Sequence, residues 1–183
     1  REDVKILKEE GGIYFPVTEI PEGFSNYPLV TKSFEIQAKT PHCYKDLLKL
    51  PKKLQKELPT SYDIIGSIIL IKLPSSLLRY RTQIGTALLK THKNIRTVCR
   101  VDSVSGELRI RDIMVIAGEN QTLTNHTEYG LTFQVDVAAT YFSPRLASER
   151  KRVASLVEPE EIVVDLFAGV APFSIMIARF AKP

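Results

Sequence analysis

Cysteine is scarce in this 183-residue chain: Cys43 and Cys99 stand far apart, with no Cys-x-x-Cys pair. That excludes a disulfide-stapled scaffold and a thiolate zinc centre, and it fits reduced thiols in a cytoplasmic protein. His42, His92 and His126 share no ligand spacing with one another or with a carboxylate cluster, so no metal is expected. No apolar run approaches the roughly 20 residues of a bilayer span, and Arg1-Glu2-Asp3 is unlike a secretory signal, so no membrane partner is expected either. No serine or cysteine occupies a nucleophile elbow, which leaves covalent catalysis unsupported. Also missing are internal repeats, low-complexity tracts and a Gly-x-Gly-x-x-Gly fingerprint. The last absence argues against a dinucleotide.

What the chain does have is 44% hydrophobic residues, enough for a packed core, and an uneven charge. Residues 1–22 carry a net −3 while the whole chain carries +4, so the remainder is basic. One cluster comprises Lys45, Lys49, Lys52, Lys53 and Lys56; a second comprises Arg145, Arg150, Lys151 and Arg152. A basic face attracts a polyanion through counterion release, whereas an interrupted lysine run also describes a solvated helix surface.

Val4–Leu7 and Ile13–Val17 flank a glycine turn and predict a hairpin in a small N-terminal module, residues 1–32. Six prolines from Pro16 to Pro59 interrupt the periodicity, so residues 33–59 read as linker and short helix, anchored by Leu47, Leu48 and Leu50. Residues 60–140 form an α+β middle domain, mostly antiparallel. Tyr62–Leu73 is a β-branched strand bent at Gly66, and Leu77, Ile84 and Leu88 give a helical stripe. Four further strands are expected over 97–101, 107–116, 122–126 and 131–137, with Glu128-Tyr129-Gly130 as a turn. Pro144 opens a helix running to Glu158 with Leu146, Val153, Leu156 and Val157 on its apolar face.

Ile162-Val163-Val164-Asp165-Leu166-Phe167-Ala168-Gly169-Val170-Ala171-Pro172-Phe173 reads as a buried strand, a tight turn and a helix start. Such a turn brings backbone amides and a helix N-terminus to a ligand. The same pattern also describes plain α/β architecture. Upstream stands Tyr141-Phe142-Ser143-Pro144-Arg145-Leu146-Ala147-Ser148-Glu149-Arg150. The two segments together resemble the archaeal and eukaryotic tRNA (guanine-37-N1)-methyltransferases, and the likeness extends through Gly106–Asp112, Ala117–Thr124 and Ser61–Gly66.

That resemblance implies an α/β and α+β chain, an antiparallel-rich middle domain leading into the start of a Rossmann-like catalytic domain at residues 141–183. It implies S-adenosylmethionine as cofactor and tRNA as partner, with the methyl group delivered to N1 of the guanosine 3′ to the anticodon. Tyr141 and Arg145 fall near the methyl donor, with Asp165, Phe167, Ala168, Gly169 and Val170 on its methionine side. Ala171 replaces the glycine usual in the family. Glu149 falls on the general base, although an exposed helix glutamate paired with Arg145 or Arg152 would look the same. Arg109 falls on the arginine that assists catalysis, since a guanidinium can donate two parallel bonds to the oxyanion developing on O6. Arg111, Arg150, Lys151 and Arg152 are the expected RNA contacts. A ribose-binding acid and an Asn-Pro-Pro-type loop do not occur before Pro183. A fragment of a longer protein is therefore expected, one that binds the cofactor weakly or not at all. The related wyosine-pathway aminocarboxypropyl transferases are the nearest rival, but their pattern lacks the Arg145-Leu146 pair after Ser-Pro; a bifunctional methyltransferase acting on a wyosine intermediate stays open. A non-catalytic RNA-binding module built from residues 60–140 is the rival from another class.

Overall fold

The computed structural model describes residues 4–19, 22–24, 26–35, 43–102 and 112–181. The chain divides into two compact units, 1–41 and 42–183. In the first, strands β1 (Leu7–Glu9) and β2 (Gly12–Tyr14) pair antiparallel with Leu7 opposite Tyr14. Gly11, at φ +117°, makes the turn that β-carbon-bearing residues resist. Lys5 pairs with Glu35 at 2.9 Å and Lys32 with Glu9 at 2.6 Å, tying the hairpin to the segment after it. Phe15, Phe24, Tyr27 and Phe34 line an open apolar cavity of about 800 Å³ in this unit.

The second unit is built on a four-stranded sheet in the order β3 (Asp63–Ile65), β4 (Ile68–Ile71), β5 (Thr97–Val101), β6 (Ile113–Gly118). Strand β4 is buried throughout because successive side chains point to opposite faces and both faces are covered. Ile69 and Ile71 pack with Val98 against helix α2 (Arg81–Thr91), through its Ile84, Ala87 and Leu88. Ile68 and Leu70 face the other way. They join Cys99 and Val101 against Phe133, Val135 and Val137 of a second hairpin, β7 (Leu123–Glu128) with β8 (Leu131–Asp136). Tyr129 and Gly130 connect those two strands with positive φ at both positions, a two-residue turn whose twist matches the strands.

Four expectations change. The predicted strand over 62–73 is a hairpin: Gly66 turns at φ +54°, and a β-carbon there would overlap the Asn125 carbonyl. The described strands pair mostly antiparallel, as expected, but β4 and β5 run parallel, with α2 as the crossover between them. Within 33–59 the expected short helix is α1 (Lys52–Lys56) and Leu48 and Leu50 anchor as expected, but Leu47 stays exposed and Tyr44 and Leu58 join the core under α2, so the stretch is more than a linker. Prolines break its periodicity without removing its apolar anchors.

The fourth change concerns the catalytic side. A 3-10 turn over Pro144–Leu146 leads into α3 (Ala147–Ala154), which ends short of Glu158 and turns Arg150 and Ala154 inward. Leu146 and Leu156 stay exposed. Residues Ile162–Leu166 form no ladder, and Ile162 is 94% exposed. A parallel strand is stable only between partners, and none of the described strands pairs with this segment. After it, α4 (Pro172–Phe180) docks on α3 and buries Met176.

Candidate functional site

The site is assembled from three pieces of the second unit: the loop 140–146, the outer face of α3, and the turn from Asp165 into α4. The turn is shaped by its small residues. Gly169 has φ +57° and Ala171 φ +55°, and the Ala171 amide donates to the Ala168 carbonyl at 2.7 Å. Pro172 takes the first helical position, where a missing N–H costs nothing, and the amides of the first turn of α4 are left for an acceptor. Asp165 accepts a 2.8 Å hydrogen bond from the Ser174 hydroxyl, which holds the carboxylate beside that helix start.

The turn and the loop meet. A β-carbon built on Gly169 would lie 3.7 Å from the Thr140 methyl, and Val170 packs against the cluster that contains Phe142. The loop that carries Tyr141 and Arg145 therefore meets the turn through Thr140 and Phe142. Arg145, its side chain 66% exposed, donates from Nε to Asp63 Oδ1 at 2.7 Å. Phe167 is 95% exposed and touches no core. Ala168 is partly buried and makes the turn's closing hydrogen bond.

Glu149 lies on the exposed side of α3 and is held by Arg152 through two bonds, 2.8 Å from Nε and 2.6 Å from Nη2. The Arg152 hydrogen bonds push its carboxyl below the usual carboxylate range. A general base working near neutrality needs the opposite shift. As paired here, Glu149 is a poor proton acceptor, and the i,i+3 ion pair expected of an ordinary helix surface is what forms.

The basic cluster divides three ways. Arg152 is occupied by Glu149. Lys151 sits over the Phe180 ring, 3.1 Å from its centroid, and 5.9 Å from that of Tyr129, so its ammonium pins α4 to the β7–β8 turn. Arg150, read as an RNA contact, is 1% exposed and cannot reach a phosphate. Its guanidinium is spent inside the fold on Glu128 and on the Ser143 carbonyl. Arg109 and Arg111 lie outside the described residues, as does His42.

Sequence reasoning passed over four residues that shape the site: Asp63, which anchors Arg145; Ser174, which anchors Asp165; and His126 with Glu128, which meet beside Arg150. Asp63 carried a signal, lying within the Ser61–Gly66 segment of the family resemblance. The others carried none: Ser174 reaches Asp165 only through the intervening turn, and the His126–Glu128 pair, two residues apart, gains its role from Arg150, 22 residues on.

Residues 44–122 match the family described as the TYW2 N-terminal domain, and residues 124–183 match the TRM5/TYW2 methyltransferase domain. A tRNA (guanine(37)-N(1))-methyltransferase Trm5b of Pyrococcus abyssi is 42% identical over 97% of this chain and 53% of its own length. The solved complex of aTrm5 and tRNALeu superposes with a TM-score of 0.78 at 34% identity, over 100% of this chain and 58% of that one. Pyrococcus horikoshii TYW2 in complex with MeSAdo gives a TM-score of 0.61 at 33% identity, over 76% of this chain and 49% of that one. The chain thus spans about half the length of the curated relatives it matches. Two adjoining domain matches, relatives along nearly the whole sequence and a shared fold place it together: the chain belongs to the TRM5/TYW2 methyltransferase family.

Proposed function

We propose that this chain is the tRNA-docking and methyl-donor side of an S-adenosylmethionine-dependent tRNA methyltransferase, acting at N1 of the guanosine 3′ to the anticodon. The observation that carries the reading is the convergence of the Tyr141–Arg145 loop with the Asp165–Ala171 turn at the start of α4. The residues present fit the cofactor's amino-acid end. Asp165 offers a carboxylate to an ammonium. The first-turn amides of α4 and the Nη groups of Arg145, left over once Asp63 has taken Nε, offer donors to a carboxylate. When bound, S-adenosylmethionine supplies the electrophilic methyl group.

This chain's own residues do the rest. Glu149 takes the N1 proton of the guanine, and Arg109 donates to O6 as negative charge gathers there. Before it can act, Glu149 must lose Arg152, whose hydrogen bonds hold its carboxyl in the ionised, weakly basic state. Transfer of Arg152 to a tRNA phosphate achieves both steps at once: it neutralises a backbone charge and frees the base. The aminocarboxypropyl reading is less favoured, because Arg145 and Leu146 follow Ser143-Pro144 and because Arg145 is built into the site through Asp63.

The test is single-turnover methyl transfer to tRNA in the full-length protein, with equilibrium cofactor binding measured alongside. Glu149→Gln should slow transfer about 10²–10⁴-fold with cofactor affinity nearly unchanged. An equal loss of binding would make Glu149 a structural residue and remove it from the chemistry.

A further inference from the structure

Among the described residues, the most heavily buried charge in the second unit has no part in the chemistry just described. Arg150 donates from Nε to Glu128 Oε2 at 2.9 Å and from Nη2 to Glu128 Oε1 at 2.5 Å. The same Nη2 donates to the Ser143 carbonyl at 3.0 Å, and the guanidinium lies 4.9 Å from the centroid of the buried Phe142 ring. His126 closes the cluster from the other side, with Nε2 3.2 Å from Glu128 Oε1 and its ring edge-on to Phe142 at 5.1 Å. The Gly66 amide donates to His126 Nδ1 at 3.1 Å, which puts the ring proton on Nε2, facing Glu128.

One chain of bonds therefore runs from the Gly66 turn through His126, Glu128 and Arg150 to the carbonyl of Ser143. It joins the sheet of the 44–122 match to the loop that carries Tyr141 and Arg145. It also sets Glu149. Successive helical residues differ by about 100° around the axis, so a fixed, inward Arg150 forces its neighbour outward.

We propose that Glu128 and Arg150, with His126, are positioning residues for the donor side: they hold the Tyr141–Arg145 loop and aim Glu149 relative to the Gly66 turn. The proposal rests on the methyltransferase reading above. A buried ion pair is not needed for stability, since apolar replacements of similar volume are often as stable. What a bidentate pair with a third bond to a backbone carbonyl adds is direction.

The test replaces both partners in the full-length protein, as Glu128→Gln with Arg150→Met. This removes both charges, leaves an acceptor for His126 Nε2 and deletes the link to Ser143. The expected result is a folded protein with a thermal midpoint within a few degrees of wild type, a higher cofactor KM, and single-turnover methyl transfer down about 10–100-fold, the size of a misplacement effect. Arg150→Lys should not rescue the rate, because one ammonium cannot make the fork and the carbonyl bond together. Wild-type transfer in a folded double variant, or a loss equal to its unfolded fraction, would overturn the proposal.

If the double variant does not fold, hydrogen exchange in the wild-type 183-residue chain decides. The Leu146 amide, bonded to the clamped Ser143 carbonyl at 3.2 Å, should be as protected as the β7–β8 amides. Exchange at open-loop rates would mean that nothing holds the loop. A wild-type protein that methylates no tRNA would instead sink the methyltransferase reading, with Leu146 protection still deciding the clamp.

Discussion

Removing Arg150 alone should be far more damaging than removing it together with its partner's charge. Arg150→Met leaves the Glu128 carboxylate in a site where its side chain is 4% exposed, with only His126 Nε2 still facing it. Breaking a buried pair from one side costs about 3–5 kcal/mol, chiefly because an uncompensated charge remains in a dry site. The surviving His126 contact argues for the lower end, about 3 kcal/mol, a large share of the ~5–15 kcal/mol that holds a typical domain together. For a unit the size of residues 42–183 that corresponds to a fall of roughly 10 °C in thermal midpoint. Adding Glu128→Gln removes the stranded charge and should recover most of the loss, to within about 1 kcal/mol of wild type, so the coupling energy of the cycle should exceed about 2 kcal/mol. Urea denaturation followed by far-ultraviolet circular dichroism measures each corner. An Arg150→Met protein within about 1 kcal/mol of wild type, at an unchanged m value, would mean that water reaches Glu128 and that the clamp is not dry.

Two further outcomes rest on local geometry. Ala171 sits at φ +55° at the start of α4, a conformation costing an alanine about 1–2 kcal/mol that glycine avoids, so Ala171→Gly should raise stability by up to about 1 kcal/mol after glycine's greater freedom in the unfolded chain is subtracted; a drop in thermal midpoint would refute the left-handed assignment. Burial pushes the Cys99 thiol from its ordinary 9.0 up to about 11, while Cys43 is exposed, so a thiol reagent at pH 8 should titrate one cysteine in the native chain and two in urea. The sign also fixes a pH dependence: with its folded value raised, Cys99 contributes stability that is complete below pH 9 and is lost as the pH climbs toward 11.

How much of this was readable in advance depends on whether the determining contacts are local. The turn at Tyr129-Gly130 and the hairpin about Gly11 were legible because the backbone conformation is written into the glycine itself. The direction of β4 relative to β5 was not, since Ile68–Ile71 is apolar at every position and carries no alternation from which to infer a solvent side. The run Ile162–Leu166 has the composition of a central strand, yet a ladder belongs to two strands, and no sequence property of one segment supplies the other. Arg150 shows the same limit at a single side chain. Flanked by Glu149, Lys151 and Arg152 on a short helix, it reads as one more solvated cation, because propensity and charge patterning see only neighbours along the chain. Its burial is decided 22 residues away by Glu128 and seven residues away by a backbone carbonyl, groups that meet only after β7 and the Ser143 loop have folded together. A charge run on a helix therefore divides by rotation about the axis: the member facing inward, Arg150, becomes architecture with Glu128, while Glu149 pairs with Arg152 at the surface and Lys151 lies over the Phe180 ring.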